Sequence, residues 1–136
     1  MTALLDTGLL LAVLDRDDDL HQIATLALEE EPEPILPDVV LPELGYLIQR
    51  ELDTAVLAQF LRAVAGGELR IEYVQTADLA RAADLLEKYA DSGVDFVDCA
   101  IVAVAERLNI TRVLAVDRRH FLLFRPRHCP SFEIAP

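Results

Sequence analysis

Short apolar segments with strand character alternate along this chain with segments of helical periodicity. The strand candidates are TALLD, a stretch around Ile35 and Leu36, RIEYVQ, RVLAV and a last one near Phe132 to Ile134. The helical candidates are a segment from Ile23 to Leu28, VVLPELGYLIQREL, TAVLAQFLRAVA, ADLARAADLLEKYA and FVDCAIVAVAERL. Strands that alternate with helices favour a parallel sheet covered by helices. We therefore predict an α/β fold, and the length of 136 residues predicts a single domain over residues 1–136.

Capping residues predict where several of these helices begin. Asp19 in DLHQ has capping-box spacing before Ile23, and Asp53 precedes TAVLAQFLRAVA. Asp95 and Asp98 have the same spacing at the start of FVDCAIVAVAERL. A carboxylate in the first turn also suits the helix dipole, so capping alone explains at least one of these two acids.

The composition indicates the cellular location that we expect for the protein. No apolar run approaches the roughly 20 residues that a membrane helix needs, and GLLLAVLD follows an acid and lacks a basic region before it. We therefore expect a soluble protein without a membrane association. The two cysteines, Cys99 and Cys129, match neither a disulfide framework nor a zinc pattern, so we expect free thiols and a cytoplasmic location.

With a formal net charge of −12, the protein is not expected to attract a polyanion over its whole surface. Half of the twelve Lys and Arg residues nevertheless fall in one C-terminal segment whose only acid is Asp117. They are Arg107, Arg112, Arg118, Arg119, Arg125 and Arg127. This segment predicts either a basic patch or a solvated face that balances local charge.

Four acids stand out by their positions. Asp6 and Asp117 follow the strand candidates ALL and VLAV, and sites in open parallel sheets form where strands end. Either acid could also be an ordinary N-cap. Glu43 and Asp98 instead lie in predicted helices, where their neighbours three or four positions away are mostly apolar and include no cation. Burying an unpaired carboxylate costs several kcal/mol, so we expect a cation beside these groups.

The simplest arrangement places Asp6, Glu43, Asp98 and Asp117 around one cavity at the carboxyl edge of the sheet. Oxygen donors without nearby Cys or His suit Mg²⁺ or Mn²⁺ better than zinc or copper. Such an ion lowers the pKa of a bound water, orients it for in-line attack and stabilises charge on a phosphate. The four acids therefore predict metal-dependent chemistry on phosphate esters.

Four motifs, LLDTGLLLAVLD, LPELGYLI, GVDFVDCAIVAVAERL and VLAVDRRHF, resemble the successive signatures of PIN-domain ribonucleases, most closely VapC-type toxins of bacterial toxin–antitoxin pairs. The resemblance covers essentially the whole chain. It implies a three-layer α/β/α fold, Mg²⁺- or Mn²⁺-dependent endonuclease action on RNA, a homodimer and inhibition by a VapB-like antitoxin. By position, Asp6, Glu43 and Asp98 match the three core acids, Asp117 the more variable fourth, and Thr7 the hydroxyl residue beside the first.

Other residues near these motifs carry open alternatives. Cys99 stands where the motif more often has Ala. Asp95 is an extra acid that either only caps the helix or caps it and also influences the metal. Arg118, Arg119 and His120 follow Asp117 and are candidates for RNA phosphate contacts, with a solvated surface as the alternative.

Three other classes of protein compete with the ribonuclease interpretation. A phosphatase of the haloacid dehalogenase type needs a second Asp two residues after the first, and Gly8 stands there. A receiver domain needs a late Lys, whereas the only Lys, Lys88, lies in a predicted helix. A non-catalytic PIN-like module that binds proteins or acts as a decoy would keep the acids, and metal-dependent RNA cleavage separates it from an enzyme.

Overall fold

A computed structural model describes residues 2–136 as a parallel five-stranded sheet with helices on its faces. The strands are β1 (Thr2–Leu5), β2 (Glu33–Pro37), β3 (Arg70–Glu72), β4 (Arg112–Leu114) and β5 (Glu133–Ala135). Their order across the sheet is β3-β2-β1-β4-β5, and every neighbouring pair is parallel. In the sheet, β2 and β3 therefore lie on one side of β1, and β4 and β5 lie on the other side. The neighbouring strands β1 and β4 thus lie at the centre of the sheet.

The helices form the outer layers of a three-layer α/β/α arrangement, which confirms the predicted fold class. They are α1 (Thr7–Leu14), α2 (His21–Glu30), α3 (Val40–Glu51), α4 (Thr54–Ala65), α5 (Thr76–Lys88), α6 (Phe96–Leu108) and α7 (Arg119–Leu123), with a 3₁₀ turn at Ala90–Ser92. Among residues 2–136, no helix is long and apolar enough to cross a membrane.

Helix α6 is the most deeply buried of these helices. Every residue from Asp98 to Ala105 is buried, which is typical of a helix covered on all sides by the rest of the core. Its start is fixed by the predicted capping box of Asp95 and Asp98, and Asn109 ends it in the left-handed conformation. These boundaries hold Asp98 at the first turn of α6.

Several predicted boundaries differ from the structure. Strand β4 ends at Leu114, so Asp117 follows it after a short loop rather than directly, whereas Asp6 directly follows β1 as predicted. Helix α2 begins at His21 after Leu20, which shows that Asp19 is not its cap. The cap at Asp53 is present, because its carboxylate accepts a hydrogen bond from the Val56 N–H at 2.9 Å.

Candidate active site at the carboxyl edge of the sheet

A cavity of about 260 Å³ lies beside the carboxyl ends of β1 and β4 and is lined mainly by acids. The four acids selected from the sequence all line it: Asp6 after β1, Glu43 in α3, Asp98 in α6 and Asp117 after β4. The remaining lining residues are Thr7, Gly8, Leu47, Asp95 and His120. The topology therefore brings together acids that are up to 111 positions apart in the chain.

Asp6 occupies the N-cap position of α1, but its side chain makes no capping hydrogen bond. Its backbone N–H donates to the Leu114 carbonyl at 3.0 Å, which ties the end of β1 to β4. Burial raises the pKa of the Asp6 carboxyl to about 7, the charges of Asp98, Glu43 and Asp95 add to this rise, and the Thr7 N–H opposes it. Capping therefore does not account for this carboxylate, and a cation would relieve the cost of ionising it.

Asp95 and Asp98 hold each other through the capping box. Asp95 Oδ1 accepts from the Asp98 N–H at 2.9 Å, and Asp98 Oδ2 accepts from the Asp95 N–H at 3.3 Å. Burial and the nearby charge of Asp95 raise the pKa of Asp98, although hydrogen bonds from the Asp95 N–H and from His120 oppose the rise. Asp95 therefore caps the helix and also acts electrostatically on its neighbour in the cavity.

Asp117 is bound by the residue two positions later. The Arg119 guanidinium donates to both carboxylate oxygens, with Nε 3.1 Å from Oδ1 and Nη2 2.8 Å from Oδ2, and the Arg119 N–H donates to Oδ1 at 3.2 Å. These hydrogen bonds lower the pKa of Asp117 to about 2. Since Arg118 occupies the N-cap position of α7, Asp117 is not the cap of that helix.

The residues predicted to contact RNA phosphates all have partners within the protein. Arg118 Nη2 donates to the Ile134 carbonyl at 2.8 Å, Arg119 binds Asp117, and His120 Nδ1 lies 2.8 Å from Asp98 Oδ2. Elsewhere in the same basic segment, Arg107 and Arg112 form ion pairs with acids. The structure thus favours local charge balance over a free basic patch.

The donor set fits a hard divalent cation. It consists of carboxylates and the hydroxyl of Thr7, whose Oγ1 is buried and has no hydrogen-bond partner within residues 2–136. An unpartnered buried hydroxyl beside acids with raised pKa values is suited to a hydrated ion. In the described part of the chain, no group of three His, Cys, Asp or Glu side chains is already arranged to hold an ion. An incoming ion would compete with Arg119 for both oxygens of Asp117, whereas His120 occupies only Oδ2 of Asp98.

The contact between His120 and Asp98 was not predicted. The two residues are 22 positions apart, and only the folded arrangement of α6 and α7 shows that they meet.

A second, larger cavity of about 680 Å³ was also not predicted. Its lining is mostly apolar and includes Leu10, Leu14, Leu28 and Phe60, and none of the four selected acids reaches it.

Acids at the carboxyl edge of a three-layer α/β/α sheet are the arrangement expected from the resemblance to PIN-domain proteins. The chain belongs to the PIN domain family, whose model matches residues 3–123, and this confirms the predicted family. It is also similar to Ribonuclease VapC26 of Mycobacterium tuberculosis, with 28% identity over 134 residues that cover 98% of this chain and 99% of that protein.

Solved structures of similar proteins support the fold. VapC20 of Mycobacterium tuberculosis, described as a toxin that cleaves the sarcin-ricin loop, matches with a TM-score of 0.79 and 21% identity over 86% of this chain and 90% of that one. A chain of VapBC2 from Rickettsia felis, solved with a DNA fragment from the promoter, matches with a TM-score of 0.71 and 16% identity over 100% of both chains.

Proposed function

We propose that this chain is a metal-dependent endoribonuclease that hydrolyses RNA phosphodiester bonds and serves as the toxin of a toxin–antitoxin pair. The observation that carries this proposal is the meeting of Asp6, Glu43, Asp98 and Asp117 at one cavity, with a raised pKa at Asp6 and Asp98. Similarity to a ribonuclease over nearly the full length of the chain supports RNA as the substrate.

In this proposal, the four carboxylates would hold Mg²⁺ or Mn²⁺, and the unpartnered Thr7 hydroxyl would supply a further oxygen donor at the site. A bound divalent ion supplies a water of lowered pKa and stabilises negative charge on the phosphate and the leaving oxygen. The carboxylates by themselves repel a phosphodiester, because both carry negative charge. A bound cation would offset this repulsion, and Asp6, whose pKa is about 7 without it, would hold the cation as an ionised carboxylate.

The proposed partners are a VapB-like antitoxin and a second copy of this chain. Support for the antitoxin comes from similar chains in toxin–antitoxin complexes, among them VapBC2 of Rickettsia felis and a complex from Klebsiella pneumoniae. The apolar cavity lined by Leu10, Leu14, Leu28 and Phe60 offers a surface that an apolar segment of a partner could cover. The homodimer rests on the resemblance to VapC-type toxins.

A non-catalytic PIN-like module is the second candidate. The pairing of Asp98 with His120 and of Asp117 with Arg119 favours it, because two of the four acids already have partners within the chain. The two candidates differ in one measurable property, which is cleavage of RNA that depends on a divalent cation.

The test is cleavage of single-stranded or looped RNA by the purified chain with Mg²⁺, Mn²⁺ or EDTA. We expect EDTA to abolish cleavage, and we expect Asp6→Asn and Asp98→Asn each to lower the rate at least about a hundredfold, as loss of a metal ligand should. Asp53→Asn is the matched control, since it removes the same charge from a residue that does not line the cavity and keeps a residue that caps helices well.

The outcomes separate the two candidates. Undiminished cleavage in EDTA, or full activity in either cavity variant, would overturn the proposed role of the acids. A folded wild-type chain that binds the cation and cuts no RNA would favour the non-catalytic module instead.

A further inference from the structure

The carboxylate of Asp98 is held at one oxygen. Its side chain accepts hydrogen bonds from two donors, the Asp95 N–H at 3.3 Å and His120 Nδ1 at 2.8 Å, and both end on Oδ2. Within residues 2–136, no donor is hydrogen-bonded to Oδ1. The bond from His120 is the shorter of the two, so the imidazole contributes most to fixing this side chain.

His120 lies in a segment that is held in place by contacts of its neighbouring residues. The next residue in α7, Phe121, is buried, and its ring lies 6.2 Å from that of Phe124 and 6.4 Å from that of Phe132. Two positions before His120, Arg118 is tied to the Ile134 carbonyl. Since both flanks of His120 are fixed, the position of its imidazole beside Asp98 is built into the fold.

We infer that His120 is a positioning residue, whose Nδ1–H holds Oδ2 of Asp98 so that Oδ1 is directed to a divalent cation in the cavity. This inference rests on the proposed function, since it assigns a role at the same acids. A carboxylate that binds a cation is ionised and can only accept hydrogen bonds, so Nδ1 carries the proton in this pair. The inference does not depend on the charge of the ring, because neutral and cationic imidazole can both present an Nδ1–H.

Two other roles for His120 predict different behaviour. A contact to RNA phosphate, as expected from the sequence, would leave cation binding unchanged when His120 is replaced. A ring that merely occupies the place of the cation would give tighter binding when it is removed. A positioning role predicts weaker binding, because partners that orient a metal ligand typically contribute 10-fold to 100-fold in affinity.

The experiment measures Mn²⁺ affinity in the absence of RNA, by the electron paramagnetic resonance signal of free Mn²⁺ and by titration calorimetry. His120→Phe keeps a ring of similar size without an N–H, and His120→Leu is a second variant without a donor. We expect both to bind Mn²⁺ about 10-fold to 100-fold more weakly than the wild type. His120→Asn places an amide N–H near the position of Nδ1, and we expect it to stay within about threefold of the wild type.

His21→Leu is the matched control. His21 also uses Nδ1 for a partly buried hydrogen bond, at 2.9 Å from the Ala12 carbonyl, but it does not line the acidic cavity. Its loss should leave Mn²⁺ affinity unchanged. Thermal unfolding in EDTA establishes that each variant is folded before its affinity is compared.

The results distinguish this inference from the function on which it rests. If the wild type binds no Mn²⁺, both fail. If the wild type binds Mn²⁺ and His120→Phe and His120→Leu bind it equally well or more tightly, the positioning role is overturned while the metal site stands. If His120→Asn binds as weakly as His120→Phe, the hydrogen bond is not the cause and the inference is again overturned.

Discussion

Two groups of acids in this protein differ in how their charge is compensated. The first, which we term the α5–α6 cluster, comprises Glu72, Asp78, Arg81, Glu106 and Arg107. In it, the Arg81 guanidinium donates to both oxygens of Glu106 at 2.7 and 3.0 Å, and Arg107 binds Asp78 at 3.1 Å and Glu72 at 3.0 Å. The second group is the acidic cavity, where no Lys, Arg or His of residues 2–136 forms a salt bridge with Asp6 or Glu43.

The pKa values show the consequence of this difference. Burial tends to raise the pKa of Glu106, but hydrogen bonds from Arg81 and from the Arg127 N–H outweigh it and hold the pKa below the ordinary value. In the cavity, burial and neighbouring charges raise the pKa of Asp6 to about 7. Acids of the α5–α6 cluster thus stabilise the fold with cations of the chain itself, whereas Asp6 and Glu43 in the cavity have no such partner among residues 2–136, and the proposed divalent ion would supply one.

The largest expected effect comes from breaking the α5–α6 cluster. Arg107→Ala leaves Asp78, which is only 3% exposed, without its ion pair, and we expect a loss of about 3 to 5 kcal/mol in the free energy of unfolding. Chemical denaturation measures it. Adding Asp78→Asn to this variant should recover part of the loss, because it removes the uncompensated charge.

Arg70→Ala is the control for this prediction. Arg70 pairs with the half-exposed Glu33 at 3.0 Å and lies 3.6 Å from Glu72, and because Arg70 itself is 55% exposed, its removal should cost no more than about 1 kcal/mol. Equal losses for Arg107→Ala and Arg70→Ala would show that burial does not distinguish these ion pairs.

A smaller effect of opposite sign is expected in the cavity. A carboxyl whose pKa is about 7 in the folded state keeps its proton between about pH 4 and 7, where the unfolded chain has lost it. The free energy of unfolding without metal therefore falls as the pH rises through this range. Asp6→Asn removes this penalty, so the metal-free variant should be more stable than the wild type by about 2 kcal/mol at pH 8, with about 4 kcal/mol as an upper limit.

Two further conditions test this explanation. At pH 4, where Asp6 is protonated in the folded wild type, the two proteins should differ by less than about 0.5 kcal/mol. A hundredfold excess of Mg²⁺ over its dissociation constant should stabilise the wild type by about 2.7 kcal/mol and the variant much less. A metal-free Asp6→Asn protein that unfolds more easily than the wild type at pH 8 would show that ionised Asp6 does not destabilise the metal-free fold.

The sequence predicts the features of this fold that depend on local patterns. The alternation of strands and helices, the cap at Asp53 and the capping box of Asp95 and Asp98 can all be read from neighbouring residues, and the structure confirms them. Helix α1 was missed, because TGLLLAVL is apolar on nearly every side and gives no periodicity that separates a buried helix from a strand.

The partners of the acids could not be predicted in the same way. The carboxyl edge of a parallel sheet collects residues that follow different strands, so the meeting of Asp6 and Asp117 follows from fold class alone. The contact of His120 with Asp98 depends on how α7 is anchored by its aromatic side chains, and no local pattern reports this.

The smallest expected effect concerns the one cavity acid that is held by an arginine. Arg119→Ala should raise the pKa of Asp117 from about 2 toward its ordinary value, which a carboxyl ¹³C titration by NMR can follow. Because Asp117 is about half exposed and Arg119 is 83% exposed, the melting temperature should change by less than about 3 °C. A lowered carboxyl pKa stabilises the folded state above the ordinary pKa, so even this small change should vanish as the pH falls toward 2.

Arg118→Ala is the matched control for this last change, since it removes an equal charge from the adjacent position but breaks a bond to the Ile134 carbonyl rather than to an acid. If both variants shift the pKa of Asp117 equally, that pKa is lowered by the overall positive charge nearby and not by the hydrogen bonds from the Arg119 guanidinium. If only Arg119→Ala shifts it, and the variant also binds Mn²⁺ more tightly, then Arg119 competes with the cation for Asp117. In that case the exposed Arg119 neutralises the charge of Asp117 in the same way as the arginines of the α5–α6 cluster neutralise their acids. The effect on stability is weaker, because the Arg119–Asp117 pair is exposed.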